Sequence, residues 1–104
     1  MYKVEFLPVA KQDLREIALY ISNELCNPTV AVNLVEEIIE ATEKLLEFPY
    51  SHQVYYPIRP LKKEYRRIPI KNYMIFYTVD EQKKNVTVSR IIYAKRNLSA
   101  QITE

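Results

Sequence analysis

The sequence predicts an α+β fold: an N-terminal strand, an antiparallel helical hairpin, then a three-stranded antiparallel meander. Three observations carry this prediction. Between Tyr65 and Tyr93, three runs rich in β-branched and aromatic residues are split by short polar breaks, the pattern of strands joined by tight connections. From Ala10 to Leu46 the apolar residues recur at three- and four-residue spacings, which puts them on one face of a helix. Ahead of both, Tyr2-Lys3-Val4-Glu5-Phe6 alternates apolar and polar residues as a strand does.

Taken in order, Tyr2 to Phe6 forms an edge or sheet-closing strand that Leu7-Pro8 ends, and Pro8 suits the first turn of a helix. The first helix buries Ala10, Leu14, Ile17, Ala18, Ile21 and Leu25 and ends near Cys26. Asn27 is a good N-cap for the second helix and Pro28 a good first residue. That helix turns Ala31, Leu34, Val35, Ile38, Ala41, Leu45 and Leu46 inward and a row of glutamates outward, and stops before Phe48-Pro49. A short connection between two such helices makes an antiparallel hairpin packed on one face of the sheet. Tyr50 to Lys63 reads as a long loop holding His52 and three tyrosines, with room for a short strand. In the central run, Tyr73, Ile75, Tyr77 and Val79 take one face and Met74 and Phe76 the other, as in a strand buried on both sides. The expected unit is a single domain over residues 1–104, with its core at about 2–98 and a tail over 99–104 that frays.

Composition narrows the function. The chain has 104 residues, 48% hydrophobic and 27% charged, which suits one small globular domain and argues against disorder. No stretch approaches the roughly 20 apolar residues of a membrane span, and no secretory leader is evident, so a cytoplasmic protein without membrane contact is expected. The single Cys26 has no internal disulfide partner, and no Cys/His grouping has zinc-ligand spacing. Neither metal nor cofactor is expected. The chain has no glycine, which argues against phosphate-cradling glycine loops and nucleotide hydrolysis.

The net charge of +2 conceals a polarity. Residues 1–58 carry four Lys/Arg against nine Asp/Glu, and residues 59–104 carry eleven against four. A domain with halves of opposite sign either presents a basic face to an acidic partner or lets the halves satisfy each other across the fold. Arg66, Lys71, Arg90 and Lys95 are the candidates for partner or nucleic-acid binding. Arg90, inside a β-branched strand, serves equally well in a structural salt bridge to a helix Glu. His52 reads as a surface residue rather than a base, Cys26 as packing, and most of the nine tyrosines as core.

Several residues in fixed order carry a resemblance. They are Tyr2-Lys3-Val4, Asp13-Leu14, Tyr20-Ile21, Asn27-Pro28, Phe48-Pro49, Tyr65-Arg66-Arg67-Ile68, Tyr73-Met74-Ile75-Phe76-Tyr77 and the stretch Arg90 to Asn97. Over about residues 2–98 this order resembles the RelE/ParE superfamily of bacterial toxins from type II toxin–antitoxin systems. The resemblance implies a growth-arresting toxin held by an antitoxin, whose disordered acidic or amphipathic segment folds across it. It also implies one of two targets: DNA gyrase, as for ParE types, or ribosome-bound messenger RNA, as for RelE types. For the nucleolytic chemistry, which needs no metal, Arg67, Arg96 and Tyr93 match cationic and aromatic positions of RelE-like enzymes. The sequence departs from that pattern at Met74, where nucleolytic relatives usually place an Arg after the aromatic. ParE-like members often have an apolar residue there, so the expectation leans to gyrase. A non-toxic nucleic-acid-binding module is the remaining alternative.

Overall fold

The computed structural model describes residues 1–57, 61–96 and 101–102. Its elements are β1 (Lys3–Phe6), α1 (Pro8–Leu19), α2 (Pro28–Glu43), β2 (Arg66–Ile70), β3 (Tyr73–Asp80) and β4 (Asn85–Tyr93). The strands form one sheet in the order β1-β4-β3-β2. β2, β3 and β4 make the expected antiparallel meander, whereas β1 lies parallel to β4, with Lys3 opposite Asn85 and Phe6 opposite Val88. Parallel neighbours cannot be joined by a tight turn; here the hairpin and the rest of the sheet intervene.

The helices follow local chemistry with one departure. Pro8 opens α1, where its missing N–H is no loss. Regular winding ends at Leu19, earlier than expected, because Tyr20–Glu24 widens into a π-helical turn in which the Leu25 N–H donates to the Tyr20 carbonyl at 3.2 Å. Asn27 Oδ1 then accepts from the Val30 N–H at 3.3 Å, and Pro28 starts α2. A 3-10 turn over Lys44–Leu46 ends the helical run before Phe48-Pro49. Without glycine, the left-handed turn positions fall to Cys26, Lys71 and Lys84, at φ of 50°, 52° and 52°. Each such residue costs roughly 1–2 kcal/mol.

The hairpin covers one face of the sheet, packing Ala10, Ile21, Leu34 and Ile38 against Ile68, Ile75, Tyr77, Val88 and Ile91. β3 is buried on both faces, with Ile75, Phe76 and Tyr77 all at 0% exposure. Pairing slips between Phe76, which faces Arg90, and Tyr77, which faces Val88, leaving Ser89 as the extra residue of a bulge. On the opposite face a second apolar cluster gathers Tyr65, Phe76, Ile92 and Ile102, with Tyr55, Leu61 and Met74 beside them.

That second cluster explains two features at the margins. In the long loop, Val54 bridges Arg66, the Tyr55 N–H donates to the Tyr65 carbonyl at 2.7 Å, and the Gln53 carbonyl accepts from the Arg67 N–H at 3.1 Å. The short strand allowed for in the loop is therefore a single bridge on the β2 edge. Of the tail expected to fray, residues 99, 100, 103 and 104 lie outside the described residues. Gln101 and Ile102 are held: Ile102 is 2% exposed, and the Gln101 carbonyl accepts from an Arg90 Nη1–H at 2.7 Å. Burying an Ile side chain is worth about 1.5–3 kcal/mol, enough to oppose fraying there. No helix among the described residues is long and apolar enough to cross a membrane.

Candidate functional site

β1 ends beside Val88 while β4 runs on to Tyr93, so the last turn of the β4 edge lacks a strand partner. α1 takes that place. Asp13 Oδ2 accepts from the Ile91 N–H at 3.0 Å, and the same carboxylate takes Arg90 Nε–H at 2.7 Å and Nη2–H at 3.0 Å. With α1 fixed there, its continuation carries the hairpin bend past the end of the sheet. An open cleft of about 1150 Å³ lies between the bend and the sheet end.

The floor of the cleft is apolar, built from Ile17, Ile21, Leu34 and Ile91. At its mouth Tyr20, Leu25 and Val30 stand 54%, 56% and 47% exposed. The wide turn at Tyr20–Glu24 is what presents this group; such turns in helices are frequent at functional sites. On the sheet side the Tyr73 and Tyr93 rings meet edge-on at 5.8 Å. Burial raises the pKa of the Tyr73 hydroxyl, the nearby Tyr93 and Tyr20 add to the rise, and Arg96 opposes it. Glu16 and Glu37 stand on the helical wall and Lys71 and Arg96 on the sheet wall. Lys71 Nζ reaches to 4.0 Å from Glu37 Oε2.

Of the residues singled out from the sequence, Lys71, Tyr93 and Arg96 border this cleft, with Arg90 behind them. The Arg90 guanidinium is engaged by Asp13 and Gln101, and the Asp13 hydrogen bond raises its pKa. A structural ion pair to α1 was one of the two expected roles, with Asp13 in place of a Glu. Lys95 is exposed on the turn after β4. Arg66 and Arg67 lie elsewhere. Arg66 donates to the His52 carbonyl at 2.7 Å and to Glu64 at 3.3 Å, with its guanidinium 5.0 Å from the Tyr50 ring centroid. Arg67, paired with Phe76 in register, donates to Gln53 Oε1 at 2.8 Å.

The far end of the sheet holds a different cluster, which sequence reasoning missed. Glu81 accepts from Tyr2 at 2.6 Å, Tyr50 at 2.9 Å and Lys84 at 2.7 Å. The hydrogen bond from Lys84, then those from Tyr2 and Tyr50, hold its carboxyl down at about 2. Tyr77, pushed up to about 12 by burial, donates to the Pro49 carbonyl at 2.7 Å. The His52 ring packs edge-on to Tyr77 at 6.4 Å, and burial, then Lys44, lowers its pKa. No local pattern announces these contacts, since Tyr2, Tyr50 and Glu81 are far apart in the chain. Among the described residues no group of three or more His, Cys, Asp or Glu could hold a metal ion.

Solved structures of similar fold are toxin–antitoxin proteins. A chain of the chromosomal ParDE system from P. aeruginosa superposes with a TM-score of 0.72 at 18% identity, covering 91% of this chain and 98% of that one. A chain of the intact E. coli RelBE complex gives 0.62 at 18%, covering 92% and 100%. One from the Mycobacterium tuberculosis RelBE2 complex gives 0.61 at 18%, covering 88% and 96%. At such identity the likeness establishes the fold. No curated protein matches the chain. The family model for the ParE toxin of type II toxin–antitoxin systems, parDE, matches residues 4–98. With nearly its whole length so matched, the chain belongs to the ParE toxin family within the RelE/ParE superfamily.

Proposed function

We propose that this toxin arrests growth by inhibiting DNA gyrase rather than by cutting messenger RNA, and that its antitoxin neutralises it through the cleft. The observation that carries the first half is the dispersal of the nucleolytic candidates. Cutting RNA through its 2′-hydroxyl needs a base, an acid and a cation converging on one phosphate. Arg67 faces Phe76 and Tyr93 faces Tyr73, three positions apart along β3 and so roughly 10 Å apart, on opposite faces of the sheet. Met74, where an arginine would be needed, packs beside Phe76 and Ile92. Losing one such donor costs about 3–4 kcal/mol of transition-state stabilisation. Membership of the ParE family supports the same reading.

One observation favours the ribosome-dependent alternative: Tyr93, Arg96 and Lys71 border a single cleft, where two cations and a phenol could meet a phosphate. The test sets both against each other. Purified protein is added to a gyrase supercoiling reaction and, separately, to a translating extract whose transcript ends are mapped. Inhibited supercoiling with intact messages is the expected result. Codon-phased cuts with supercoiling unchanged would reverse the assignment and make Tyr93→Phe and Arg96→Ala the next variants.

A further inference from the structure

Arg90 joins the two faces of the sheet. It pairs with Phe76 in register, and Ile92 with Met74, so both stand on the face that carries the second apolar cluster. From there its guanidinium reaches around the edge of β4, where β1 has already ended, to the Asp13 carboxylate of α1. The guanidinium is planar and its donors form a fixed fork. Nε–H and Nη2–H go to Asp13 at 2.7 and 3.0 Å, so Nη1 points elsewhere and needs an acceptor of its own. It donates to the Gln101 carbonyl at 2.7 Å. One rigid group is therefore held between a helix on one face and the segment of Gln101 and Ile102 on the other.

That segment has two anchors among the described residues. The Gln101 carbonyl accepts from Arg90, and Ile102, 2% exposed, fills the cluster of Tyr65, Phe76 and Ile92. A segment held by one side chain and one hydrogen bond opens at lower free energy than the sheet beneath it. Asp13 in turn holds β4 through the Arg90 pair and through the Ile91 N–H at 3.0 Å. Asp13 and Arg90 both line the cleft, as do Ile17, Tyr20 and Ile21 further along the same helical run.

We propose that Gln101 and Ile102 form a strap that sets how firmly α1 is held over the end of β4. While the strap is seated, the Gln101 carbonyl keeps the Arg90 guanidinium in the plane that grips Asp13. When it lifts, Nη1 loses its acceptor at a half-buried site, the guanidinium turns toward water, and the grip on Asp13 slackens. The helical wall of the cleft then moves more freely. Such coupling is reciprocal, so an occupant of the cleft that draws α1 against the sheet also holds the strap down. The strap goes beyond the target and the antitoxin proposed above and depends on neither.

The test follows two hydrogen bonds along the same edge of β4 by amide exchange. Ile91 donates to Asp13 at 3.0 Å, and Leu7 donates to the Val88 carbonyl at 2.9 Å. Ile102→Ser releases the strap and should speed exchange at Ile91 about tenfold relative to Leu7, whereas a general loss of stability would speed both alike. Should that variant fail to fold, Ile102→Val removes less and should move the ratio the same way by a few-fold. Urea unfolding gives a second reading: Asp13→Ala should lower the folding constant about tenfold less in the Ile102→Ser background than in the unaltered chain. Arg90→Lys keeps a charge for Asp13 but lacks the fork, and should abolish that difference. An Ile91-to-Leu7 ratio unchanged by the Ile102 variants, additive costs of Asp13→Ala and Ile102→Ser, or a coupling that persists in Arg90→Lys would each overturn the proposal.

Discussion

The two ends of the sheet use similar residues for opposite purposes. At the far end, Tyr2, Tyr50 and Lys84 all point their polar groups at Glu81, and Arg66 lies over Tyr50. At the near end, Tyr20, Tyr73 and Tyr93 gather beside Lys71, Arg96, Glu16 and Glu37 around an open volume. One cluster spends its charges inside the molecule and ties β1, the loop after α2 and the β3–β4 turn together. The other leaves apolar surface exposed, with Glu37 paired to Lys71 at 4.0 Å across the opening. The same residue types thus make a clamp where three segments converge and line an open cleft where one element overhangs another.

The largest effect should come from the joint that creates the overhang. In Asp13→Ala the half-buried Arg90 guanidinium loses its counter-charge and the Ile91 N–H its acceptor. Removing one partner of a buried pair costs about 3–5 kcal/mol. Partial exposure of this pair brings the expectation to about 2–3 kcal/mol in urea unfolding, with a Tm drop of about 10–20 °C. A change below about 0.5 kcal/mol would mean that α1 is held to β4 by packing alone.

A gain is expected at the hairpin bend. Cys26 is exposed and sits at φ 50°, so Cys26→Gly removes left-handed strain and should stabilise the protein by about 1 kcal/mol. No gain, or a loss, would show that its Sγ–H contact to the Asn23 carbonyl at 3.4 Å outweighs the strain.

How far these contrasts could be read in the sequence depends on the range of the interactions. Helical periodicity, the Asn27-Pro28 cap and the three β runs are local, and the elements formed where the pattern put them, except that regular winding of α1 stops at Leu19. The Ser89 bulge was not legible, since Ile91 and Ile92 are equally apolar and only the fold shows Val86, Val88 and then Ile91 facing the hairpin. The parallel docking of β1 on β4 was not, because alternation sets which face a residue takes and not which strand lies beside it. In the site, the charge split between the halves was visible. Which charges are spent internally, as Arg90 on Asp13 and Glu81 on Lys84, was not, since each pairing depends on tertiary geometry.

The far-end clamp should show itself in acid. Glu81 has a folded pKa of about 2 against an ordinary 4.5, a depressed carboxylate. Its stabilising share is therefore complete above about pH 4.5 and is lost as pH falls towards 2. Glu81→Gln should flatten the acid limb of the stability profile in that window while leaving antitoxin binding at the cleft unchanged. The carboxylate is exposed, so screening by salt should shrink the difference. Profiles that superpose between pH 2 and 4.5 would remove the clamp from the comparison.

The smallest effect on stability is expected at the cleft mouth. Leu25→Ser and Val30→Ser remove side chains that are about half exposed, and such changes usually stay within about 0.5 kcal/mol. If the double variant unfolds readily, the mouth is core and the case for a docking surface fails. If its urea midpoint holds while antitoxin binding is lost, these apolar groups are surplus to folding and serve a partner. That outcome would separate the near end from the far one: at the clamp a residue is retained for what it does to the fold, and at the cleft it would be retained for what it does to a second chain.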